Sequence, residues 1–153
     1  MSWLSPARRL RLLMNVWPPF LFAGIRVLRL DDDFRHARVR LSARWYARNY
    51  VGTHFGGSLF AMTDPFLMLM ALHVLGRDYL VWDKAAEIQF VRAVREDVFA
   101  EFHLDDATIE SIRQETADGE RHLRWFDVVV ATATGAVVAR VRKQIYVRRK
   151  PGR

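Results

Sequence analysis

The sequence contains no cysteine among its 153 residues. Disulfide bonds, thiolate nucleophiles and cysteine-ligated metal sites are therefore excluded, and a reducing compartment, the cytoplasm, is the location we expect. We find no internal repeat or low-complexity linker, and the chain has only 5 prolines and 8 glycines. A chain of this length without such interruptions predicts a single domain.

Acidic residues are missing from both ends of the chain, although the whole sequence carries a net charge of +7. Residues 1–30 contain five arginines, residues 140–153 contain seven basic residues, and the segment between them has a net charge of −5. Basic ends around an acidic middle differ from the continuous basic surface of a nucleic-acid-binding domain, so we expect no nucleic-acid partner. They fit local contacts with phosphate groups or an anionic surface, and the last residues also fit a solvated tail.

The first part of the chain predicts a helix that is followed by strands. Apolar residues occur at helical spacing over residues 5–16, with Ser5 as a candidate N-cap, and Pro18-Pro19 ends this helix. Alternation of apolar and polar residues then predicts strands at 25–30, 34–41, 86–90, 98–104, 121–133 and 136–147, with turns around 31–33, 95–97 and 134–135. Residues 105–117 fit either a short helix or a wide connection.

Residues 56–75 form the longest apolar run, nearly long enough to cross a bilayer. Asp64, Pro65 and His73 interrupt this run, and an ionisable side chain at membrane depth is costly. A helix that is apolar on all sides also occurs at the centre of a soluble protein. We therefore predict one long buried helix that ends at Gly76.

The predicted order of elements is a helix, two strands, the long helix and about four further strands. Consecutive hairpins form a mostly antiparallel sheet, and the long helix is the apolar layer available to cover it. This predicts an α+β protein with the hotdog fold, in which an antiparallel sheet wraps around one central helix. The expected parts are an N-terminal helical extension at 1–23, a hotdog core at 24–148 and a basic tail at 149–153. Because the last two strands are apolar on both faces in places, we expect a partner subunit on the second face.

A polar loop leads through two glycines into the start of the long helix. Free N–H groups at a helix N-terminus stabilise negative charge on an oxygen, and the missing side chains of Gly56 and Gly57 would let a substrate carbonyl approach closely. Asp64 follows Gly57 by two helical turns and is expected on roughly the same face. A carboxylate in an apolar helix is costly unless it is paired or neutral, so Asp64 needs a partner or a function.

The residues from 49 to 64 follow the pattern Asn, five residues, His-Gly-Gly, x-Leu-Phe-x-x-x-Asp, and the matching positions are Asn49, Gly56, Gly57, Leu59, Phe60 and Asp64. In this pattern the sequence resembles the phenylacetyl-CoA thioesterase branch of the hotdog superfamily. The wider run from Pro18-Pro19 through RNYVGTHFGGSLFAMTDPF to DKAAEIQFVRAV is similar to an uncharacterised bacterial group of thioesterase-like hotdog proteins. Two positions depart from the pattern: Phe55 occupies the place of the histidine, with His54 one residue earlier, and Pro65 directly follows Asp64.

The resemblance implies hydrolysis of an acyl-CoA or acyl-carrier thioester at a site shared between two subunits of a homodimer or homotetramer. It implies that the Gly57 N–H polarises the thioester carbonyl, that Asn49 orients the carbonyl or the water, and that Asp64 of the partner subunit acts as nucleophile or general base. His54 is a further catalytic candidate. The candidate substrate contacts are Gly56, Phe55, Phe60 and Met62, with Trp17 and Phe20 as further lining and with Arg142 and Lys143 as partners for the coenzyme phosphates. No cofactor and no metal is expected, since His36, His73, His103 and His122 lack metal-ligand spacing.

Other interpretations stay open at this point. The displaced histidine and Pro65 also fit a protein that binds an acyl-CoA or a lipid without turnover. Arginines beside apolar residues and Trp17 within residues 5–23 fit a weak membrane-surface contact, which is compatible with either function. Asp64 also fits a purely structural hydrogen bond, and Asn49 and His54 fit turn or capping roles.

Overall fold

The computed structural model describes residues 4–151 of the chain. Its helices are α1 (Pro6–Val16), α2 (Pro18–Ala23), α3 (Gly56–Ala61), α4 (Phe66–Leu75) and α5 (Asp106–Glu115), with a short 3-10 turn at Trp45–Ala47. Its strands are β1 (Ile25–Leu30), β2 (His36–Leu41), β3 (Tyr79–Phe90), β4 (Val98–His103), β5 (Arg121–Thr132) and β6 (Val137–Arg149). The predicted α+β class is confirmed. Of the two alternatives for residues 105–117, a short helix or a wide connection, the structure shows the helix, α5.

The six strands form one antiparallel sheet in the order β1-β2-β4-β5-β6-β3. The prediction that β3 and β4 form a hairpin around residues 95–97 is wrong, because β3 pairs with β6 at the far edge of the sheet. Short connections usually join neighbouring strands, which is why the sequence pattern was misleading here. Residues 91–97 instead carry the chain from the β3 edge back to the middle of the sheet, and the amides of Val91 and Arg92 bond to the carbonyl of Val138 on the way.

The two edges of the sheet differ. At the β1 edge, the side chain of Asn15 on α1 pairs with the backbone of Val27, at 2.7 and 3.1 Å, and Arg11 donates to the carbonyl of Leu28 at 3.1 Å. These bonds satisfy backbone groups that an edge strand leaves open. At the other edge, β3 pairs with β6 on one side and with no described strand on the other.

The inner face of the sheet is covered by α4, whose buried residues are Phe66, Leu67, Met70, Ala71 and Leu75. The ring of Phe66 stacks on that of Phe102 of β4, with ring centres 4.8 Å apart, and packs against that of Phe20 of α2, with ring centres 6.1 Å apart. The apolar run of residues 56–75 therefore packs against the sheet as the core of the protein, as expected for a buried helix.

The long central helix predicted for residues 56–75 is confirmed, and it is interrupted between Ala61 and Phe66. The amides of Thr63 and Asp64 bond to carbonyls three residues earlier, and Pro65 has no amide hydrogen to continue the helix. The Thr63 hydroxyl also donates to the Phe60 carbonyl at 2.8 Å, which satisfies one group left by the break. Asp64 consequently lies in a turn between two helices.

Candidate functional site

Asp64 is held by a buried lysine that the sequence analysis had assigned to the rim of the site. The Nζ of Lys143, on β6, donates to Oδ1 of Asp64 at 2.8 Å and lies 3.2 Å from Oδ1 of Asp83 on β3. Lys143 is 1% exposed, whereas the side chain of Asp64 is 61% exposed. A role for Lys143 in binding coenzyme phosphates is therefore incompatible with its position, because its ammonium group lies inside the protein beside two carboxylates.

Asp83 is the functional neighbour that the sequence analysis missed. Burial raises the pKa of its carboxyl above the ordinary value of 3.8, the Lys143 ammonium partly opposes this, and the negative charge of Asp64 adds to the increase. The contact of Asp83 Oδ1 with Lys143 is an ion pair without hydrogen-bond geometry, and this oxygen has no hydrogen-bond donor among residues 4–151. Two carboxylates thus share one buried cation, an arrangement that by itself is weak evidence for stabilisation.

A signal for this cluster was present in the alternation of β6. Val141, Lys143, Ile145 and Val147 are the buried residues of one strand face, while Arg140, Arg142 and Gln144 point the other way. A lysine in the apolar phase of a strand predicts a buried charge, and a buried charge requires a partner of opposite sign. The identity of that partner depends on the pairing of β3 with β6, which the sequence did not reveal.

Asp64 and Gly57 line the same open pocket of about 230 Å³. Its remaining wall is mostly apolar and consists of Trp17, Pro19, Phe20, Phe60, Ala61 and Pro65. Asp64 and Gly57 of one chain therefore line the same pocket, together with Phe60, Trp17 and Phe20. The approach of a partner subunit's Asp64 to Gly57, which the resemblance implies, stays a prediction. The N-terminal helices α1 and α2 contribute this lining because they pack beside β1 and bring Trp17 and Phe20 toward α3.

The amide of Gly57 is a free donor, since it makes no hydrogen bond to any of residues 4–151. The space beside the two glycines, however, is filled by aromatic rings. A side-chain carbon on Gly57 would overlap with the ring of Phe55, and one on Gly56 would lie 2.9 Å from Cζ of Phe90. The expectation that these glycines leave room for a substrate carbonyl thus needs correction, because in this conformation they leave room for Phe55 and Phe90, which are both exposed rings.

Asn49 and His54 hold the loop before α3 rather than facing Asp64. The side-chain Nδ2 of Asn49 donates to the Thr53 hydroxyl at 2.9 Å and to the His54 backbone carbonyl at 3.1 Å. The side-chain Oδ1 of Asn49 accepts from the Thr53 backbone N–H at 3.0 Å. His54 is buried, and its Nε2 lies 2.7 Å from the Glu96 carbonyl, which can only accept a hydrogen bond. These contacts give both residues positioning roles, as in the alternative interpretation of the sequence.

Asn49, His54 and Gly56 line a second pocket, of about 360 Å³, together with Thr53, Leu59, Phe90, Val91, Arg92 and Ala93. The structure therefore divides the predicted site residues between two pockets that flank the start of α3. Gly56 and Gly57 are neighbours in sequence but face different pockets.

The other predicted substrate contacts lie elsewhere. Met62 is completely buried in the core, so it is not available to a substrate in this conformation. Arg142 lies on the outer face of the sheet, 3.5 Å from Glu87 and 3.6 Å from Asp127, with its guanidinium 4.8 Å from the centre of the Trp125 ring. Another depression, of about 750 Å³, lies between residues 149–151 and the residues around 77 and 118, and none of the residues from 49 to 64 lines it.

The observed architecture is the hotdog fold, with α4 packed against the inner face of an antiparallel sheet. The chain belongs to the family described as domain of unknown function DUF4442, which matches residues 7–147. None of the curated proteins matches the sequence significantly.

Solved structures share this architecture at low sequence identity. PA5026 from Pseudomonas aeruginosa, a protein of unknown function described as a probable thioesterase, is 22% identical with a TM-score of 0.79, over 94% of this chain and 96% of that one. Thioesterase HI1161 from Haemophilus influenzae is 13% identical with a TM-score of 0.68, over 97% of this chain and 93% of that one. OLEI01261 from Chlorobaculum tepidum, of unknown function, is 11% identical with a TM-score of 0.73, over 94% of both chains. These likenesses confirm the hotdog fold.

Proposed function

We propose that this protein hydrolyses an acyl-CoA-type thioester at a site to which two subunits contribute. The observation that carries the proposal is the position of Asp64, which is exposed at a break in an otherwise apolar helix, is held by a buried lysine, and lines an apolar pocket with the free amide of Gly57. The naming of PA5026 and HI1161 as thioesterases supports the same class of reaction.

The chemistry follows from the two oxygens of Asp64. Lys143 occupies Oδ1, whereas Oδ2 has no hydrogen bond to any of residues 4–151. As a general base, Oδ2 removes a proton from water while the water oxygen bonds to the thioester carbon. The Gly57 amide stabilises the negative charge on the carbonyl oxygen, the C–S bond then breaks, and the thiolate takes up a proton to give a free acid and a thiol. As a nucleophile, Oδ2 instead attacks the thioester carbon, and the C–S bond breaks to release the thiolate, which takes up a proton. Water then hydrolyses the resulting anhydride to the free acid and restores the Asp64 carboxylate.

The two-subunit character of the site is supported by the edge at β3 and by the loop before α3. The outer side of β3 lacks a partner within the described chain, whereas α1 covers the opposite edge. The loop also exposes large apolar side chains that water solvates poorly, namely Trp45, Tyr46, Tyr50, Val51 and Phe55. A second copy on this side would cover the loop and bring its Asp64 toward Gly57, with the Phe55 ring beside that glycine displaced.

A binding protein without turnover is the second candidate, and the ring of Phe55 over Gly57 favours it. In this case the apolar pocket retains an acyl group while the space beside Gly57 stays filled by the Phe55 ring. A weak contact with a membrane surface is compatible with both candidates, because Leu13, Val16 and Phe22 are exposed on the arginine-rich N-terminal segment. Arginines beside exposed apolar groups favour binding to anionic lipid surfaces.

The test is thiol release from acyl-CoAs of different chain lengths, measured for the native protein and for Asp64→Asn. We expect turnover that falls by at least about a hundredfold in Asp64→Asn, since a positioned base contributes roughly 10² to 10⁴ in rate. Asp106→Asn is the matched control, because it removes an exposed carboxylate of α5 that contacts Arg35 and does not line the pocket. Full activity in Asp64→Asn would disprove the catalytic role, and tight acyl-CoA binding without any product would establish the second candidate.

A further inference from the structure

Two histidines and a glutamate meet on the outer face of the sheet, away from the pocket of Asp64. His36 on β2 lies directly opposite His103 on β4, and Glu101 is two residues before His103 on the same face. The Nε2 atoms of His36 and His103 lie 3.4 and 3.6 Å from the same oxygen, Oε2 of Glu101. One ligand atom from each of the three residues can be chosen such that all three atoms lie within 4.8 Å of one another. The sequence predicted no such cluster, because the two histidines are far apart in the chain and only the β2–β4 register brings them together.

We infer that His36, Glu101 and His103 bind a divalent transition-metal ion, with Zn²⁺ as the reference case. A tetrahedral zinc with bonds of 2.0 to 2.1 Å places its ligand atoms about 3.4 Å apart. The two distances to Glu101 Oε2 therefore already correspond to edges of such a tetrahedron. Two imidazoles and one carboxylate suit zinc, copper, nickel or cobalt and are a poor match for magnesium or calcium, which prefer oxygen ligands alone.

Neighbouring charges hold two of the three ligands in place. Arg38 contacts Oε1 of Glu101 at 3.3 Å, which leaves Oε2 directed at the histidines. Asp31 lies 3.9 Å from Nδ1 of His36, on the ring side opposite Nε2, and Arg29 in turn holds both oxygens of Asp31 at 2.6 and 2.7 Å. A carboxylate behind a metal-binding histidine orients the ring and strengthens its metal bond.

His103 is the ligand that must move. Its ring now stacks on that of His36, with centroids 4.3 Å apart and planes inclined by only 9°. A metal ion binds in the plane of an imidazole, so it cannot lie in the planes of two parallel rings at once. The side chain of His103 is 64% exposed and contacts only these neighbours among the described residues, so its ring is free to rotate out of the stack toward Glu101.

A zinc ion at this position would link β2 to β4 across the outer face and leave one coordination position open to water. Such a site stabilises the folded chain because the unfolded chain does not preassemble the three ligands. The three residues lie on the sheet face opposite α4, so metal binding here is independent of the proposed hydrolysis.

The experiment is calorimetric titration of Zn²⁺ into the native chain, without a histidine tag, at neutral pH and again below pH 6. We expect one ion per chain at neutral pH, and weaker binding in acid because the imidazoles must lose their protons. Binding should be lost in His36→Gln and in His103→Gln. In Asp31→Asn it should weaken by about 10- to 100-fold, since that change removes the outer carboxylate. His73→Gln is the control, because it removes one exposed histidine of α4 outside the cluster.

A second measurement uses Co²⁺, whose visible absorption reports a tetrahedral site even where affinity is modest. Circular dichroism establishes that each variant is folded, and a variant that does not fold is replaced by His103→Asn, which changes only an exposed side chain. Saturable binding that His36→Gln or His103→Gln leaves unchanged would overturn the inference. So would the absence of both a titration signal and a tetrahedral spectrum in the native chain.

Discussion

The Lys143 ammonium and the Asp64 carboxylate, 2.8 Å apart, belong to different environments, since the lysine is buried under the sheet and the aspartate is exposed at a helix break. An ion pair between two exposed side chains contributes little to stability, because holding two long side chains in one geometry costs conformational entropy. Here the rigid strand β6 fixes one partner, so the other is held in a defined direction at the wall of the pocket. The pair therefore fixes the orientation of the Asp64 carboxylate, which a pair between two mobile surface side chains would not do.

Replacing Lys143 by methionine should destabilise the protein by about 1 to 3 kcal/mol, because it leaves Asp64 and Asp83 near each other without the cation. The measurement is urea denaturation at neutral pH. The double variant Lys143→Met/Asp83→Asn should regain part of the loss, since it removes one of the two unpaired charges. A double variant that is less stable than Lys143→Met would contradict the view that like charges cause the loss.

The stability of the protein should respond to the protonation of Asp83. Burial raises the pKa of this carboxyl, so between the ordinary value of 3.8 and the higher value in the folded state the folded protein binds more protons than the unfolded chain. The contribution of Asp83 to the free energy of unfolding therefore decreases as the pH rises through this interval. Asp83→Asn should lack this decrease, which is tested by comparing denaturation midpoints of both proteins at several pH values above 3.8.

Asp31 and Asp105 supply an internal comparison for that experiment. The hydrogen bonds from Arg29 to Asp31 and from Thr108 to Asp105 lower the pKa of each carboxyl. Their stabilising contributions are present above the ordinary value and are lost as the pH falls through the lowered ones. The effect of Asp83→Asn should therefore appear above pH 3.8, where these two carboxylates stay ionised. Equal pH dependence in the native protein and the variant would refute the assignment.

Removing the ring of Phe55 should increase the rate of thioester hydrolysis. The ring fills the space beside the Cα of Gly57 and is more than half exposed, so Phe55→Ala makes room for the thioester there while changing the free energy of unfolding by less than about 1 kcal/mol. The ratio kcat/KM should rise several-fold for short acyl groups. Trp45→Ala, a comparably exposed aromatic residue of the same loop, serves as the control. A decrease in kcat/KM would instead identify Phe55 as part of the substrate contact.

His54 should prove to be a structural residue. The hydrogen bond from Nε2 to the Glu96 carbonyl ties the loop before α3 to the segment before β4, so His54→Ala should cost about 1 to 3 kcal/mol of stability. Its rate profile against pH should keep the shape of the native one, since the ring takes no part in proton transfer. If the rate of His54→Ala no longer changed over a pH range in which the rate of the native protein changes, His54 would be a catalytic residue after all.

Much of the architecture could be predicted from local patterns. The N-cap of α1 at Ser5, the turn before Gly135 and the alternation in β2, β4, β5 and β6 follow from the sequence, because each depends on neighbouring residues. The edge position of β3 could not be predicted, since it depends on where α4 ends relative to the sheet. The same limit applies to the two clusters of charged groups, which form through strand pairing between residues far apart in sequence.

The candidate site shows the same division. The Asn–Gly-Gly–Asp spacing drew attention to Asp64 and Gly57, which line the same pocket, and their catalytic roles stay predictions. The partners of these residues were not predictable: Asp64 bonds to a lysine 79 positions later, and the glycines are covered by Phe55 and Phe90. Side-chain orientation around a loop depends on hydrogen bonds such as those of Asn49, which no periodic pattern encodes.

The bulge in β3 determines which way Asp83 points. The register shifts between Asp83 and Ala85, so Val81 and Asp83 face the interior before it, whereas Ala86 and Ile88 do so after it. Lys84 is the inserted residue, and its removal would give a regular strand. If the strand instead kept Lys84 in a regular ladder and its C-terminal half held its register, Lys84 would take the inward position opposite Ile145 and Asp83 would turn outward opposite Tyr146. Lys143 would then lose one of its two counter-ions. One extra residue in an edge strand thus sets the charge balance of a group buried on the neighbouring strand.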